Sequence, residues 1–284
     1  RIIEELETSP RRIYTGSIGY IAPNRKARFN VAIRTALADK ANRKAEYGVG
    51  GGIVWDSTSA DEYSEALLKA RVLTQPPERE FSLFETLLWT PEEGYFLLER
   101  HIARMMDSAE YFDFPFSEVG MRKTLEQLIE NANEIKRVKL MLDSQGCFSG
   151  EAKDFQPDDT VYKVCLAKES VDSNNRYLFH KTSNRDVYER YAIEGYDDVL
   201  LFNENSELTE FTIGYLVVYM DGDLFTPPFV CGLLAGTFRA EVLASGEVKE
   251  RVIPVAELGK CEAAFLVNSL RKWVRVEIQK EPML

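Results

Sequence analysis

The chain has 284 residues, 45% of them hydrophobic, and 46 Asp or Glu against 35 Lys or Arg give a net charge of −11. So acidic a chain offers no broad basic surface to nucleic acid or anionic membrane, and no apolar run approaches the roughly 18 residues that span a bilayer. No charged start leading into an apolar core reads as an export signal, and a cytoplasmic protein with small-molecule partners is the expectation.

In chain order, the first signals are a glycine run, Gly50-Gly51-Gly52, entering Ile53-Val54-Trp55, which reads as a buried strand, and a helical stretch from Glu62 to Leu73. Gln75-Pro76-Pro77-Glu78 stops that helix and reads as a semi-rigid spacer. Charge changes at the same place: residues 1 to 77 hold 12 Lys or Arg and 9 Asp or Glu, a balance of +3, which leaves −14 for the rest. The expected organisation is therefore a segment 1–75, a linker 76–80, a lobe 81–170 and a lobe 171–284. In the third part Leu98, Ile102, Met105, Ala109 and Phe112 share a helical face, and Leu125, Leu128, Ile129 and Ala132 mark a second amphipathic helix. Val138, Leu140 and Leu142 alternate as a strand, with Val161 to Leu166 expected to pair with it. The last part predicts strands at 199–202, 213–220, 265–267 and 274–278, helices at 237–244 and 255–264, and a two-residue hairpin turn at Asp221-Gly222. The class is α+β.

Cys147, Cys165, Cys231 and Cys261 form no Cys-x-x-Cys pair and read as reduced structural thiols, not a zinc site or disulfide framework. His101 and His180 have no metal-type partner at helical spacing.

The chemistry centres on Phe179-His180-Lys181-Thr182-Ser183-Asn184-Arg185, followed by Glu207-Leu208-Thr209-Glu210. By residue type alone Lys181 is a solvated cation, but paired with Glu210 it is also a Schiff-base amine with a partner for a pyridinium nitrogen. Gly232 to Arg239 is a glycine-containing turn entering a helix, whose free N–H groups attract phosphate. Arg104, in Leu98 to Arg104, could grip the same anion through two parallel hydrogen bonds.

From about Phe81 to about Ile278 the ordered set Phe84-Glu85-Thr86, His101-Ile102-Ala103-Arg104, His180 to Arg185, Leu208-Thr209-Glu210, Gly232 to Arg239 and Leu266 to Arg271 resembles the class IV aminotransferase-like, fold type IV pyridoxal phosphate enzymes, and within them the 4-amino-4-deoxychorismate lyases. The resemblance implies a two-lobed fold, a small α+β lobe plus a larger β-barrel-like α/β lobe, and a homodimer. It implies that Lys181 is the cofactor-linked lysine, Glu210 faces the pyridine nitrogen, and Arg104, Gly236, Thr237, Phe238 and Ser269 hold the phosphate. Glu85, Thr86 and Asn184 are candidate substrate contacts. Branched-chain and D-amino-acid transaminases usually carry a tyrosine five residues after the lysine, where this chain has Asp186; Asn184 and Arg185 resemble the lyases instead. An amino acid transaminase and an inactive fragment stay open as alternatives.

The opening segment, with Tyr14, Phe29 to Thr35, Tyr47 to Ser57 and Glu62-Tyr63-Ser64-Glu65 before Lys69, resembles the last quarter of chorismate-utilising enzymes such as aminodeoxychorismate synthase component I. By that resemblance Tyr14, Arg34, Gly50, Gly51, Gly52 and Lys69 hold chorismate and Glu65 binds magnesium. A forked guanidinium and exposed backbone N–H groups suit a dicarboxylate, and a carboxylate suits magnesium. The site is expected to be vestigial, since the family's domain is several times longer and a second magnesium glutamate lies in the part not seen here. The two resemblances together, and the start at Arg1, lead to the expectation of a piece of a synthase–lyase fusion in p-aminobenzoate synthesis, with a glutamine amidotransferase as partner of the full-length protein.

Overall fold

The computed structural model describes residues 5–7, 10–74, 79–157 and 160–279, and it divides into two compact units, Arg1–Glu78 and Arg79–Leu284. The expected proline linker at residues 75–78 lies outside the described residues.

In the first unit β1 (Ser17–Ile21) pairs antiparallel with β2 (Ala27–Val31), β3 (Ala36–Asp39) pairs with β4 (Lys44–Tyr47), and α1 spans Ser59–Thr74. Among the described residues of this unit Ala32 is the one hydrophobic side chain that is buried. The expected strand at Ile53-Val54-Trp55 does not form, and Trp55 is fully exposed. A strand needs ladder partners for its N–H and C=O groups, and two separate two-stranded hairpins offer this segment none.

The second unit has two lobes. β5 (Leu83–Thr90), β6 (Gly94–Tyr95), β7 (Lys136–Leu142) and β8 (Phe148–Asp154) form an antiparallel sheet in the order β6-β5-β7-β8. Strand alternation turns Leu83, Leu87, Val138, Leu140 and Leu142 to one face, where α2 (Leu98–Phe112) and α3 (Glu118–Leu128) cover them with Ile102, Met105, Ala109, Met121 and Leu125. Ser117 caps α3, its Oγ accepting from the Gly120 N–H at 3.1 Å. Phe84 and Thr86, of opposite parity, are left for the uncovered face.

The larger lobe contains β9 (Tyr162–Leu166), β10 (Asp198–Phe202), β11 (Leu208–Phe211), β12 (Tyr215–Met220), β13 (Asp223–Thr226), β14 (Lys249–Glu250), β15 (Ala263–Asn268) and β16 (Lys272–Gln279). Their order is β11-β10-β9-β16-β15-β12-β13-β14, and a further pairing of β11 with β12 closes six of them into a barrel-like ring. Leu200, Leu208, Phe211, Leu216, Val218 and Leu266 fill its core. Short helices α4 (Arg176–Phe179) and α5 (Asp186–Glu189) and the longer α6 (Thr237–Ala244) lie between strands. Asp221 and Gly222 take φ of 55° and 83°, both positive, as a type I′ hairpin turn requires.

Two expectations need correction. The partner of β7 is β8, and the stretch around 161–166 is instead β9, which pairs with β10 and β16. The lobe expected over 81–170 therefore gives up β9 to the larger sheet. Phe-Ser-Gly-Glu-Ala-Lys-Asp conceals β8 because, after Phe148, its inward positions are Gly150 and Ala152 and not branched apolar residues. The helix expected at 255–264 is a 3₁₀ turn over Val255–Lys260, after which Ala263 and Ala264 enter β15; good helix formers are overridden by ladders to β12 and β16 on both sides.

Candidate active site

Lys181 is placed by backbone pairing between the lobes. After α4, whose N-cap Asn175 accepts from the Tyr177 N–H, the chain runs extended alongside the start of β5. The Lys181 carbonyl accepts from the Phe84 N–H at 3.0 Å and the Ser82 carbonyl accepts from the Ser183 N–H at 2.8 Å. The Lys181 ammonium lies 4.7 Å from the centre of the Phe84 ring. Glu210 sits on β11 at the barrel seam, directly opposite Tyr215 on β12. Lys181, Glu210, Tyr215, Arg104, Thr86, Thr237 and Ser269 all line one cavity of about 500 Å³.

The electrostatics of this cavity are unusual. Burial, with Arg104 nearby, pushes the Lys181 amine down to about 8. Burial pushes the Glu210 carboxyl up to about 8, against hydrogen bonds from the Tyr188 hydroxyl at 2.8 Å and the Leu234 N–H at 3.3 Å. Among the described residues no ion pair involves Glu210.

Arg104 reaches the cavity edge from α2. Its Nε donates to Glu85 Oε1 at 2.8 Å and its Nη2 to Oε2, while Nη1 points toward the Tyr215 hydroxyl at 3.4 Å and the Ala235 carbonyl at 3.2 Å. Gly236 caps α6 without a side-chain bond, so the amides of its first turn keep their donors free. A Cβ on Gly236 would lie 2.0 Å from the Tyr215 ring, so only glycine lets the chain pass there.

Two candidates fall elsewhere than expected. Glu85, read as a substrate contact, shares the helix-covered face of β5 with Leu83 and Leu87, is 1% exposed, and is occupied by Arg104 and His101. Asn184 shapes the turn, its carbonyl accepting from Thr182 Oγ1 at 3.1 Å, and does not line the cavity. The Phe238 ring packs against Phe96 and Trp273, while its backbone amide, the part expected to face a phosphate, stays in the first turn of α6. Tyr188 and Tyr215, which touch Glu210 and Arg104, carried no signal in the sequence; only the barrel seam gives them their places.

In the first unit Tyr14, Arg34, Gly50 and Lys69 line a hollow of about 150 Å³. Lys69 donates to the Gly50 carbonyl at 2.9 Å and pairs with Glu65, the expected magnesium ligand. A Cβ added at Gly51 would lie 2.6 Å from Glu62 Oε2, whereas one added at Gly52 would meet nothing within 4 Å. No cluster of three or more metal-type side chains occurs among the described residues.

Residues 82–278 match the family model described as amino-transferase class IV. The chain belongs to the class IV aminotransferase family. Ahead of this class IV unit, residues 1–75 match a second model, chorismate binding enzyme. A Schizosaccharomyces pombe protein provisionally named aminodeoxychorismate lyase is 30% identical over 206 residues, covering 68% of this chain and 87% of that protein. A Mesorhizobium loti crystal structure, provisionally named an amino-acid aminotransferase, is 33% identical with a TM-score of 0.66, over 70% of this chain and all of that one. Against aminodeoxychorismate synthase component 1 of Bacillus subtilis the identity is 45% over 69 residues, 24% of this chain but 14% of that protein. The chain thus spans a small fraction of its chorismate-binding relatives. No described helix is long and apolar enough to cross a membrane.

Class IV membership implies pyridoxal phosphate, and the class IV unit's residues fit it. A buried carboxyl without an ion pair suits a pyridinium N–H, a depressed amine suits an aldehyde, and α6 and Arg104 offer donors to a phosphate. Two pH effects follow for the cofactor-free protein. Because only the free base attacks an aldehyde, the rate of pyridoxal phosphate capture should rise through about pH 8 and then level off; a rate still climbing above about pH 9, as for an ordinary lysine, would contradict this. Glu210 stays protonated in the folded state up to about pH 8 but ionises near 4.5 when unfolded. The folded state then binds more protons, so stability falls between these values, by on the order of a few kcal/mol. Thermal unfolding should show Glu210→Gln gaining on the parent protein from pH 5 to pH 8; a constant difference would speak against it.

Proposed function

We propose that the class IV unit is a pyridoxal phosphate-dependent lyase that converts 4-amino-4-deoxychorismate to p-aminobenzoate and pyruvate. The observation that carries the reading is the charge of the cavity wall: seven Lys or Arg against two acids, an excess suited to a cofactor phosphate together with a dicarboxylate substrate. The absence of tyrosine five residues after Lys181, where Asp186 begins α5, and the similarity to the S. pombe protein support it further.

When bound, the cofactor supplies an electron-accepting ring that makes a C–H bond beside the attached amine acidic. Lys181 Nζ takes the proton from C4 of the substrate. Glu210, held by Tyr188 and the Leu234 N–H, keeps a proton facing the ring nitrogen. Arg104, Ser269 and the backbone amides of Gly236, Thr237 and Phe238 would hold the phosphate. The C3–O bond breaks with its electron pair on oxygen, the departing enolate takes a proton on carbon to become pyruvate, and the carbocycle becomes aromatic.

A second reading, an amino acid transaminase, draws support from the M. loti structure. Incubating the cofactor-loaded protein with aminodeoxychorismate and measuring p-aminobenzoate and pyruvate tests the first reading. Equal amounts of both products are expected. Conversion of an amino donor to its keto acid without pyruvate release from aminodeoxychorismate would favour the second. The fusion of synthase and lyase steps, the homodimer and a glutamine amidotransferase partner belong to the same proposal; residues 1–75 alone are not expected to bind chorismate measurably.

A further inference from the structure

Glu85 and His101 are 1% and 0% exposed, and neither is needed for the chemistry above. Burying an ionisable pair so completely is costly unless each polar atom is satisfied. His101 Nδ1 lies 2.7 Å from Glu85 Oε2, and both carboxylate oxygens also receive Arg104. On the far side His101 Nε2 lies 3.4 Å from Thr237 Oγ1, at the first residue of α6. One carboxylate on β5 is therefore joined to a guanidinium on α2 directly and to a hydroxyl on α6 through an imidazole.

The arrangement fixes protons as well as positions. Burial would raise the Glu85 carboxyl, but Arg104 and His101 outweigh it and hold it down to about 2. Burial lowers the His101 imidazole. An ionised Glu85 requires a donor, so neutral His101 carries its proton on Nδ1 and its Nε2 accepts from the Thr237 hydroxyl. The Thr237 side chain is thereby tied back, leaving the backbone N–H groups of the first turn of α6 for an anion. Glu85 likewise occupies Nε and one hydrogen of Nη2 of Arg104, while Nη1 donates to the Tyr215 hydroxyl and to the Ala235 carbonyl just ahead of that turn, so the second hydrogen of Nη2 is what Arg104 keeps for an anion.

We propose that Glu85 and His101 are positioning residues that preset a phosphate-monoester grip, Glu85 orienting Arg104 and His101 orienting Thr237, so that donors from both lobes face the same anion. The proposal rests on the reading of the cavity as a pyridoxal phosphate site. Its test involves no turnover, so it can fail while the lyase reaction stands, or survive if the reaction is a different one.

The test compares dissociation constants of pyridoxal 5′-phosphate and of pyridoxal for the cofactor-free full chain. Both form the same link to Lys181, so their ratio isolates the phosphate. Glu85→Gln should weaken pyridoxal phosphate by about tenfold or more while pyridoxal changes little, the size expected when a charge-assisted hydrogen-bond pair is lost. His101→Asn keeps a donor toward Glu85 but cannot reach Thr237, and should lower the ratio by a smaller factor. A ratio unchanged in both variants, or equal loss for both ligands, overturns the proposal. Should Glu85→Gln fail to fold, the unaltered protein decides: ¹⁵N signals of His101 should show the Nδ1–H tautomer and shift on addition of inorganic phosphate. The other tautomer, or signals that stay put, would overturn it equally.

Discussion

Replacing Lys181 by alanine is expected to reduce pyruvate release by roughly 10³-fold or more, the loss of a nucleophile and a proton-transfer group together, while the protein keeps its fold. The amine sits in the cavity wall, and what burial and Arg104 do to it is unfavourable: its ammonium form is destabilised in the folded state. Removing it should leave the thermal midpoint of the cofactor-free protein unchanged or slightly raised below pH 8, where the folded state would otherwise carry the strained charge. A coupled pyruvate assay and a thermal melt on the same preparation separate the two effects. Partial rescue by a small exogenous amine would locate the defect at Nζ. A variant that releases pyruvate at the parent rate would remove Lys181 from the reaction.

Gly236→Ala should be nearly as damaging, for a different reason. The added methyl would lie 2.0 Å from two ring carbons of Tyr215, and that ring cannot move aside freely. Tyr215 is 6% exposed, faces Glu210 across the β11–β12 seam, and holds its hydroxyl near Arg104. Relief must come from moving either the start of α6 or the seam, both of which line the site. Overpacking of this kind costs about 1–3 kcal/mol of stability, and the displaced amides should weaken pyridoxal phosphate binding by at least tenfold on the same scale. Titration with pyridoxal phosphate and a melting curve would show both losses. Parent-like affinity would mean that the turn is free to shift and that its close approach to Tyr215 is immaterial.

How much of this was legible in the sequence depended on whether a signal was local. Asp221-Gly222 dictates its turn through two adjacent residues able to take positive φ, and the α2 face repeats every three or four positions; both were readable. Lys181, Glu210, Arg104 and the Gly236 turn were readable as an ordered set of short motifs, and the structure brings Lys181, Glu210, Arg104 and, beside Gly236, Thr237 to one cavity. Glu85 was misread although the information was present: Leu83, Glu85 and Leu87 alternate in one strand, which sends Glu85 to the helix-covered face and Thr86 to the cavity. β8 and the strand character of Ala263-Ala264 were hidden because their pairing partners, not their own residues, decide them. Tyr188 and Tyr215 owe their roles to the ring closure between β11 and β12, which no window along the chain displays. At Ile53-Val54-Trp55 the local signal for a strand is real, but the unit provides no neighbour to pair with it.

Borohydride reduction of the cofactor-loaded protein, followed by proteolysis and mass analysis of the peptides, tests the central claim most directly. A single pyridoxyl-modified lysine within the segment from Arg176 to Arg185, at Lys181, is the predicted result. Modification at another lysine of the cavity such as Lys139, or none after full loading, would contradict it.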